Sequence, residues 1–177
     1  MRKLLKKQTE TVEELRIEYM TLEELQEYPE NPKKHDEETI AVSYNRFGFN
    51  DPFAIDESTG YLAEGHGRLK SLLQARTDGK TPPKHVTIKE DGAWAVPVIR
   101  GVSFSSEREL RAYIIAHNRL TESGGWDESK LAVILKDAQE FGSLDGMGWT
   151  GRQLESFIES LESDPGDQSE DAPKGKP

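Results

Sequence analysis

A short strand that enters a helix through two closely spaced glycines constrains this chain more than any other feature. Residues Leu62 to Leu69 read as a strand end, a turn with Gly65 and Gly67, and a helix start with Arg68. Glycine permits a positive φ and a close approach of another group. Unpaired N–H groups and the dipole at a helix start favour an anion, and arginine adds a bidentate cation. An ordinary capping turn is the alternative, because Gly-x-Gly alone is neither the dinucleotide fingerprint nor a Walker loop.

Composition narrows the class of protein. The chain has 177 residues, no cysteine and a formal net charge of −10. This length suits one domain of ordinary size, and no apolar run is long enough to span a membrane, so we expect a cytoplasmic protein. Without cysteine there is no disulfide, thiol nucleophile or thiolate metal site. DNA affinity depends on neutralising phosphates, so an acidic chain is expected to meet DNA only through local contacts.

Hydrophobic periodicity predicts mixed strands and helices first and a helical end, which is an α+β fold. Strands are expected near 15–20, 52–55, 61–63, 85–89 and 94–102, and helices near 36–47, 68–76, 105–118, 127–141 and 150–161. We predict four regions: a flexible N-terminus (1–14), one domain (15–121), a helical extension packed on it (122–161) and a disordered acidic tail (162–177).

Three of the four histidines fall in polar clusters that the predicted elements place in loops. The clusters are Asn31–His35, Glu64–Arg68 and His117–Arg119, and each holds Asn, Lys or Arg beside its histidine. Such side chains bind phosphate, so we expect the three loops to converge around an anion at the helix start near residue 68. Chance clustering in surface loops is the alternative. The fourth histidine, His85, lies in a strand-like stretch and is interpreted as structural.

The order of these motifs resembles the ParB/sulfiredoxin superfamily. The likeness runs through Asn31–His35, Arg46–Pro52, Glu64–Arg68, Ala116–Leu120 and the Gly-Trp-Asp at 125–127, and covers about residues 16 to 161. It is strongest to the ParB-like domains of phages and prophages that often accompany DNA methyltransferases. The resemblance implies a ParB/sulfiredoxin-like small mixed sheet surrounded by helices, with a helical C-terminal extension, in which the glycine turn holds nucleotide phosphates.

In ParB proteins the turn is Gly-Glu-Arg-Arg and the nucleotide is CTP. Gly65 and Arg68 match that pattern, whereas His66 and His117 replace glutamates implicated in holding the metal ion, so magnesium-dependent CTP hydrolysis of the ParB kind is in doubt. The resemblance implies a module that binds CTP or ATP in phage or mobile-element DNA metabolism, with Mg or Mn as the candidate metal ions. Its predicted nucleotide-binding residues are Asn31, Lys33, Lys34, His35, Gly65, His66, Gly67, Arg68, Asn118 and Arg119.

Two activities of the superfamily do not carry over. Sulfiredoxin uses a cysteine in the glycine turn, and this chain has none. Chromosome-partition ParB proteins carry a basic helix-turn-helix reader, which needs several basic or amide side chains aimed at a groove. The second candidate helix here offers only Arg152 as a cation. We therefore predict no DNA reader of that kind.

Three other functions stay open. A metal-dependent ParB-like nuclease would use His35, His66 and His117 as ligands, with Glu64 or Glu30 as carboxylate ligand or base. A small-molecule kinase of the serine type would use Glu30 or Glu64 as its base. Across these enzymatic alternatives the candidate catalytic residues are Glu30, Glu64 and His66. A non-catalytic adaptor of a DNA methyltransferase could anchor its partner through Trp126 and Trp149, although we interpret these tryptophans as core caps.

Overall fold

The computed structural model describes residues 14–163, which fall into two compact units divided between Ser123 and Gly124. The predicted flexible start and acidic tail lie outside the described residues, apart from residue 14 and residues 162 and 163, and the last two continue the final helix. The predicted packing of residues 122–161 on the first domain stays a prediction.

A mixed sheet of five strands organises residues 14–123. Its strands are β1 (Arg16–Thr21), β2 (Phe53–Asp56), β3 (Leu62–Glu64), β4 (Thr87–Ile88) and β5 (Trp94–Val102). The order is β1-β5-β2-β3, with β4 paired to the start of β5. The β2–β5 pair is parallel and the other pairs are antiparallel. A small mixed sheet with surrounding helices confirms the predicted α+β class.

Three helices complete the first unit: α1 (Glu37–Phe47), α2 (His66–Thr77) and α3 (Glu107–Ser123), and a short 3-10 helix spans Leu22–Glu24. The predicted cap of α1 is confirmed, because the Asp36 side chain accepts from Thr39 N–H and Gly48 ends the helix at φ 91°. These caps fix the direction in which the loop before α1 and the loop after it leave the helix.

The sheet separates two apolar clusters. On one face, α1 and α2 pack against alternate strand residues, including Phe53, Leu62 and Val98. On the other face, α3 covers Ala54 and Ala63 with Leu110 and Ile114. Successive residues of a strand point to opposite faces, so Phe53 and Ala54 belong to different clusters. Because helices cover both faces of the sheet, the C-terminal end of β3 lies between α2 and α3.

The second unit, described from Gly124, is a pair of helices, α4 (Glu128–Phe141) and α5 (Gly151–Ser163). They pack around Leu135, Leu144 and Leu154. The predicted capping pattern before α5 is confirmed by reciprocal hydrogen bonds between Thr150 and Gln153. Trp149 packs on Phe157 as predicted, with ring centroids 5.3 Å apart. The same prediction is wrong for Trp126, which is 75% exposed.

Three local expectations were wrong. Helix α2 begins two residues early, at His66, because Gly65 takes the cap position. Helix α3 continues to Ser123, so the cluster His117–Arg119 lies within a helix rather than in a loop. His85 precedes the short β4 with φ 73° and is exposed, so it is not a structural strand residue. Among residues 14–163, no helix has the length and apolar character needed to cross a membrane.

Candidate functional site

The turn between β3 and α2 requires glycine at position 65. Gly65 adopts φ 105°, a left-handed conformation that other residues rarely take. A Cβ at this position would lie 2.4 Å from Cδ1 of Phe53. Both the backbone conformation and the space therefore exclude a side chain. The first N–H groups of α2 have no acceptor within the helix, as in every α-helix. No side chain caps this end of α2.

The second glycine brings the loop before α1 onto the same turn. A Cβ at Gly67 would lie 2.6 Å from Cγ of His35 and 2.8 Å from its Nδ1. The imidazole therefore lies directly against the first turn of α2. Gly67 allows the 31–35 loop and the glycine turn to meet, although they are far apart in the sequence.

A cavity of about 410 Å³ opens above this turn. One wall consists of polar groups from the predicted clusters, and the facing wall comes from α1 and the loop that follows it. The lining residues that the sequence singled out are His35, Glu64, Gly65, His66, Gly67, Arg68, His117 and Asn118. Parts of all three clusters therefore share one cavity.

The remaining predicted binding residues do not line the cavity. Lys33 and Arg119 both pair with Glu122, and Asn31 accepts a hydrogen bond from the N–H of Lys33 at 3.1 Å. Lys34 is exposed. These side chains lie beside the site, so a role in binding would require them to leave their present positions.

Glu30, one of the two predicted catalytic glutamates, also lies outside the cavity. Its Oε2 lies 2.7 Å from Nη2 of Arg111, whose Nε donates to the hydroxyl of Tyr28. In this structure Glu30 therefore helps to hold the loop before α1 against α3.

His66 is a buried neutral side chain. It is 4% exposed, and its Nε2 accepts a hydrogen bond from the backbone N–H of Tyr28 at 3.2 Å. Burial lowers the pKa of His66 to about 4, with smaller contributions from His35 and Lys70. At neutral pH its one ring proton is therefore on Nδ1, because Nε2 is the acceptor. His66 holds the loop before α1 in place and brings no positive charge to the cavity.

Arg68 brings the positive charge. Its Nη1 contacts the exposed carboxylate of Asp51, and its Nη2 donates to the carbonyl oxygen of Pro52 at 3.1 Å. The guanidinium carbon lies 5.7 Å from the centre of the Phe53 ring. Burial lowers the pKa of Arg68 to about 10, so the side chain stays charged at neutral pH.

Two buried nitrogen atoms at this cavity have no hydrogen-bond partner. Within residues 14–163, the buried side-chain N and O atoms without a partner are Nε of Arg68 and Nε2 of His35. Both residues line the cavity. A buried polar atom without a partner costs about 1–3 kcal/mol, so both of these cavity-lining residues keep a hydrogen-bonding capacity that no protein atom satisfies.

Glu64 lies on the wall formed by β3 and α3. The hydroxyl of Tyr113 donates to its Oε1, and Nε2 of His117 lies 3.4 Å from the same oxygen. Burial raises the pKa of Tyr113 to about 12, helped by the hydrogen bond to Glu64, so the phenol keeps its proton. Asn118 donates its side-chain N–H to the carbonyl oxygen of Ile114. Glu64 is thus the predicted catalytic carboxylate that faces the cavity.

Sequence reasoning missed Tyr113 and the wall that faces the glycine turn. That wall includes Ile40, Tyr44, Phe47 and Phe49, and Asp51 follows it. The segment 46–52 carried part of the family resemblance, which was the available signal. Tyr113 gave no signal, because its approach to Glu64 depends on how α3 crosses the sheet.

The alternative metal site of His35, His66 and His117 is not assembled. Among the described residues, no group of three or more His, Asp or Glu side chains is placed to hold a metal ion. His66 directs Nε2 to Tyr28, and His117 directs Nε2 towards Glu64. The three histidines are therefore not grouped around a common metal position in this arrangement of side chains, and a metal role stays an untested alternative.

Comparison with known proteins gives the family. No protein-family model matches the chain. A ParB-like nuclease domain-containing protein of Escherichia coli strain K12, YnaK, is 36% identical over 69 residues, which span 37% of this chain and 78% of YnaK. The chain belongs to the ParB-like family. The predicted resemblance is therefore confirmed at the level of the superfamily.

Two solved structures of ParB proteins are also similar to this ParB-like chain. One is the C-terminally truncated chromosome-partitioning protein ParB from Caulobacter crescentus complexed with CTP-γ-S, with 16% identity, a TM-score of 0.47, and coverage of 81% of this chain and 71% of that chain. The other is a Pnob8-like ParB-N domain, with 17% identity, a TM-score of 0.39, and coverage of 85% and 64% respectively. The family assignment rests on the Escherichia coli relative.

Proposed function

We propose that this ParB-like chain binds the phosphate groups of a nucleotide, of the CTP or ATP class, at the start of α2. The observation that carries the proposal is the pair of unpartnered nitrogens, Nε of Arg68 and Nε2 of His35, at one cavity beside the unpaired N–H groups of the helix. Phosphate oxygens accept from guanidinium and backbone N–H groups, and the helix dipole adds to the attraction. Nε of Arg68, and Nε2 of His35 in the tautomer that carries its proton there, become further donors once the cavity wall shifts to expose them.

The affinity expected from this site is modest. Arg68 supplies the charge. Burial first, and then Lys70 and Lys33, lower the pKa of His35, so His35 and His66 are both neutral at pH 7. A bound phosphate must also compete with Asp51 for the guanidinium. Three or four hydrogen bonds of about 1.5–3 kcal/mol each, reduced by the cost of association, give micromolar binding.

The facing wall suits the rest of a nucleotide. Phe47 is 48% exposed and Ile40 is half-buried, so both present apolar surface, while the buried Tyr44 and Phe49 support this wall from behind. A nucleotide combines an anionic end with a flat ring that packs on apolar or aromatic side chains. Free phosphate would use only the polar wall, so a nucleotide is expected to bind more tightly than inorganic triphosphate.

Calorimetric titration tests the proposal directly. CTP, ATP, ADP and inorganic triphosphate are titrated into the protein with and without Mg²⁺. Arg68→Gln should weaken nucleotide binding about tenfold or more, because it removes a charged hydrogen-bond donor. Arg119→Gln is the matched control, since Arg119 is 73% exposed and lies off the cavity. Absence of heat with all four ligands, or equal losses in both variants, would reject the site.

Phosphodiester or phosphoanhydride cleavage is a second candidate. Glu64 lies in the cavity wall beside the glycine turn, where a carboxylate can act as a base near a bound phosphate, and the hydrogen bond from Tyr113 to its Oε1 holds it in position. The relative YnaK also carries a nuclease name. Nucleotide hydrolysis and plasmid nicking with Mg²⁺ or Mn²⁺ should both be lost in Glu64→Gln if this candidate is correct. Activity that persists in that variant would reject it.

We also place this module in phage or mobile-element DNA metabolism in the cytoplasm. The support is the resemblance of the motifs at 31–35, 46–52 and 64–68 to the ParB-like domains of phages and prophages. DNA contacts would be local, because the chain has a net charge of −10. The comparisons give no support to a methyltransferase partner, and the proposal does not include one. Mobility-shift assays at low and physiological salt test the DNA contact.

A further inference from the structure

The two edges of the sheet differ in how they are protected. Strand β3 has three residues, and its register with β2 shifts between Ala54 and Ile55. A bridge between Gln26 and Tyr61 further covers this edge, with Leu62 N–H donating to Gln26 at 2.8 Å. Short strands, bulges and covering segments are the usual protection of an edge against pairing with another chain.

Strand β1 lacks these protections. It pairs with β5 in an unbroken register over six residues, from Arg16 opposite Arg100 to Thr21 opposite Ala95. Within residues 14–163 no strand pairs with its other edge. The strand contains no proline, lysine or bulge. A long and regular edge of this kind can accept another strand.

The exposed apolar side chains of this edge strand lie on one face. Leu15, Ile17 and Tyr19 are 63%, 54% and 46% exposed. Alternate residues of a strand share a face, so the three form one apolar row. The row begins before β1 itself, because the Glu14 carbonyl still lies beside Gly101 of β5. The other face carries Arg16 and Glu18, whose Nε and Oε1 atoms lie 2.7 Å apart.

We propose that two copies of this chain associate by antiparallel pairing of their β1 strands, centred on Ile17. This register places Arg16 opposite Glu18 of the second copy, and Glu18 opposite Arg16 of the second copy. It also places Leu15 opposite Tyr19 of the second copy, twice, with the two Ile17 side chains at the centre. Opposite charges and apolar pairs across neighbouring strands both stabilise a sheet. Two-fold symmetry closes the interface after two copies.

The charge order selects the direction of the strands. A parallel pair in register would place Arg16 beside Arg16 and Glu18 beside Glu18, which is repulsive. The antiparallel pair converts the same residues into two attractive contacts. The sequence Leu-Arg-Ile-Glu-Tyr is therefore complementary to itself in the antiparallel direction alone.

A charge-swap experiment tests this pairing. Sedimentation velocity of the full chain from about 1 µM to about 1 mM should show a monomer–dimer equilibrium, since a small interface associates weakly. Arg16→Glu and Glu18→Arg should each raise the dissociation constant about 10- to 100-fold, because two attractive pairs become repulsive. An equimolar mixture of the two variants should regain the dimer, because both cross-strand pairs are then Glu opposite Arg.

Matched controls separate pairing from folding and from net charge. Arg108→Glu changes the charge by the same amount as Arg16→Glu at an exposed site on α3 and should leave association unchanged. Glu18 also lies 3.3 Å from Arg100, so the unfolding temperature of Glu18→Arg is measured as well. Arg16→Glu leaves the Glu18–Arg100 contact in place, but Arg16 lies opposite Arg100 in the β1–β5 register, so the unfolding temperature of this variant is measured too.

A single introduced cysteine tests the register, because the natural chain has none. In the proposed pair the two Ile17 Cα atoms lie about 4.5–5.5 Å apart, a distance that a disulfide can span. Ile17→Cys should oxidise to a covalent dimer, whereas Ile88→Cys, on an exposed site of β4, should not. A monomer at every concentration, or no dimer from the mixed charge variants, would overturn the proposal. In that case residues 1–13 or a different protein would remain as the occupant of the edge.

Discussion

Acidification from pH 7 to pH 5 should weaken the first unit through one buried side chain, His66. Its Nε2 accepts from the backbone N–H of Tyr28, and it is 4% exposed. Protonation would remove that acceptor and place a charge in an apolar setting. The proposed perturbation is His66→Gln, which removes the titration but can keep a carboxamide oxygen near the position of Nε2.

The sign and size follow from the two pKa values. The pKa of His66 is about 4 in the folded chain, against an ordinary histidine value of 6.5 in the unfolded chain. Between these values the unfolded chain binds a proton that the folded chain does not, so the free energy of unfolding falls as pH falls. The contribution of neutral His66 to the free energy of unfolding is therefore fully present above the unfolded-state pKa and is lost as the pH falls below it. About 2 kcal/mol is lost between pH 7 and pH 5, and about 3 kcal/mol by pH 4.

The assay is urea unfolding at several pH values between 7 and 5. Trp94 is buried in the same apolar cluster as α2 and reports on the first unit. Replacing Trp126 and Trp149 by Phe in both proteins removes the signal of the second unit. Wild-type protein should lose about 2 kcal/mol more than His66→Gln over this range. Equal pH slopes in the two proteins would refute the buried, neutral state of His66. The pKa of His35 is also lowered, first by burial, but that contribution is common to both proteins.

Three further changes have defined outcomes. Gly67→Ala should cost about 1–3 kcal/mol of stability in thermal or urea unfolding, because its Cβ would lie 2.6 Å from His35 Cγ. In a His35→Ala background this clash is absent, and the same change should stabilise the protein because alanine favours a helix more than glycine does. Equal effects in both backgrounds would contradict this contact. Asp56→Ala should lower the free energy of unfolding by about 3 kcal/mol, since the fully buried carboxylate accepts from the side chains of Ser58 and Thr59 and from Phe104 N–H. A loss below about 1 kcal/mol would show that these donors bind water instead. Asp51→Asn should tighten nucleotide binding severalfold in calorimetry, because it removes the carboxylate that competes with phosphate for Arg68. Weaker binding in this variant would mean that Asp51 orients the guanidinium instead.

The sequence predicted the elements that depend on local signals. The cap at Asp36, the glycine turn at Gly65 and the Thr150–Gln153 box are formed by residues close together in the chain, so their patterns were sufficient. The end of α3 was placed too early. Its continuation past Asn118 carries no apolar repeat long enough to distinguish a helix from a loop.

The candidate site was partly accessible to sequence reasoning. The family motif order indicated that His35, the glycine turn and Asn118 meet, and they share one cavity. The motif could not show which cations already have carboxylate partners. Lys33 and Arg119 both pair with Glu122, a contact that depends on the length and direction of α3. Tyr113 meets Glu64 for the same tertiary reason.

Amide chemical shifts test the central claim most directly. The claim is that a phosphate binds at the first turn of α2, between His35 and Arg68. Titration of isotopically labelled protein with CTP or ATP should shift the backbone amides of residues 65–68, the Nε–H of Arg68 and the ring of His35 along one saturable curve. Shifts confined to Lys33, Arg119 or α5, or spectra that do not change up to millimolar nucleotide, would contradict it.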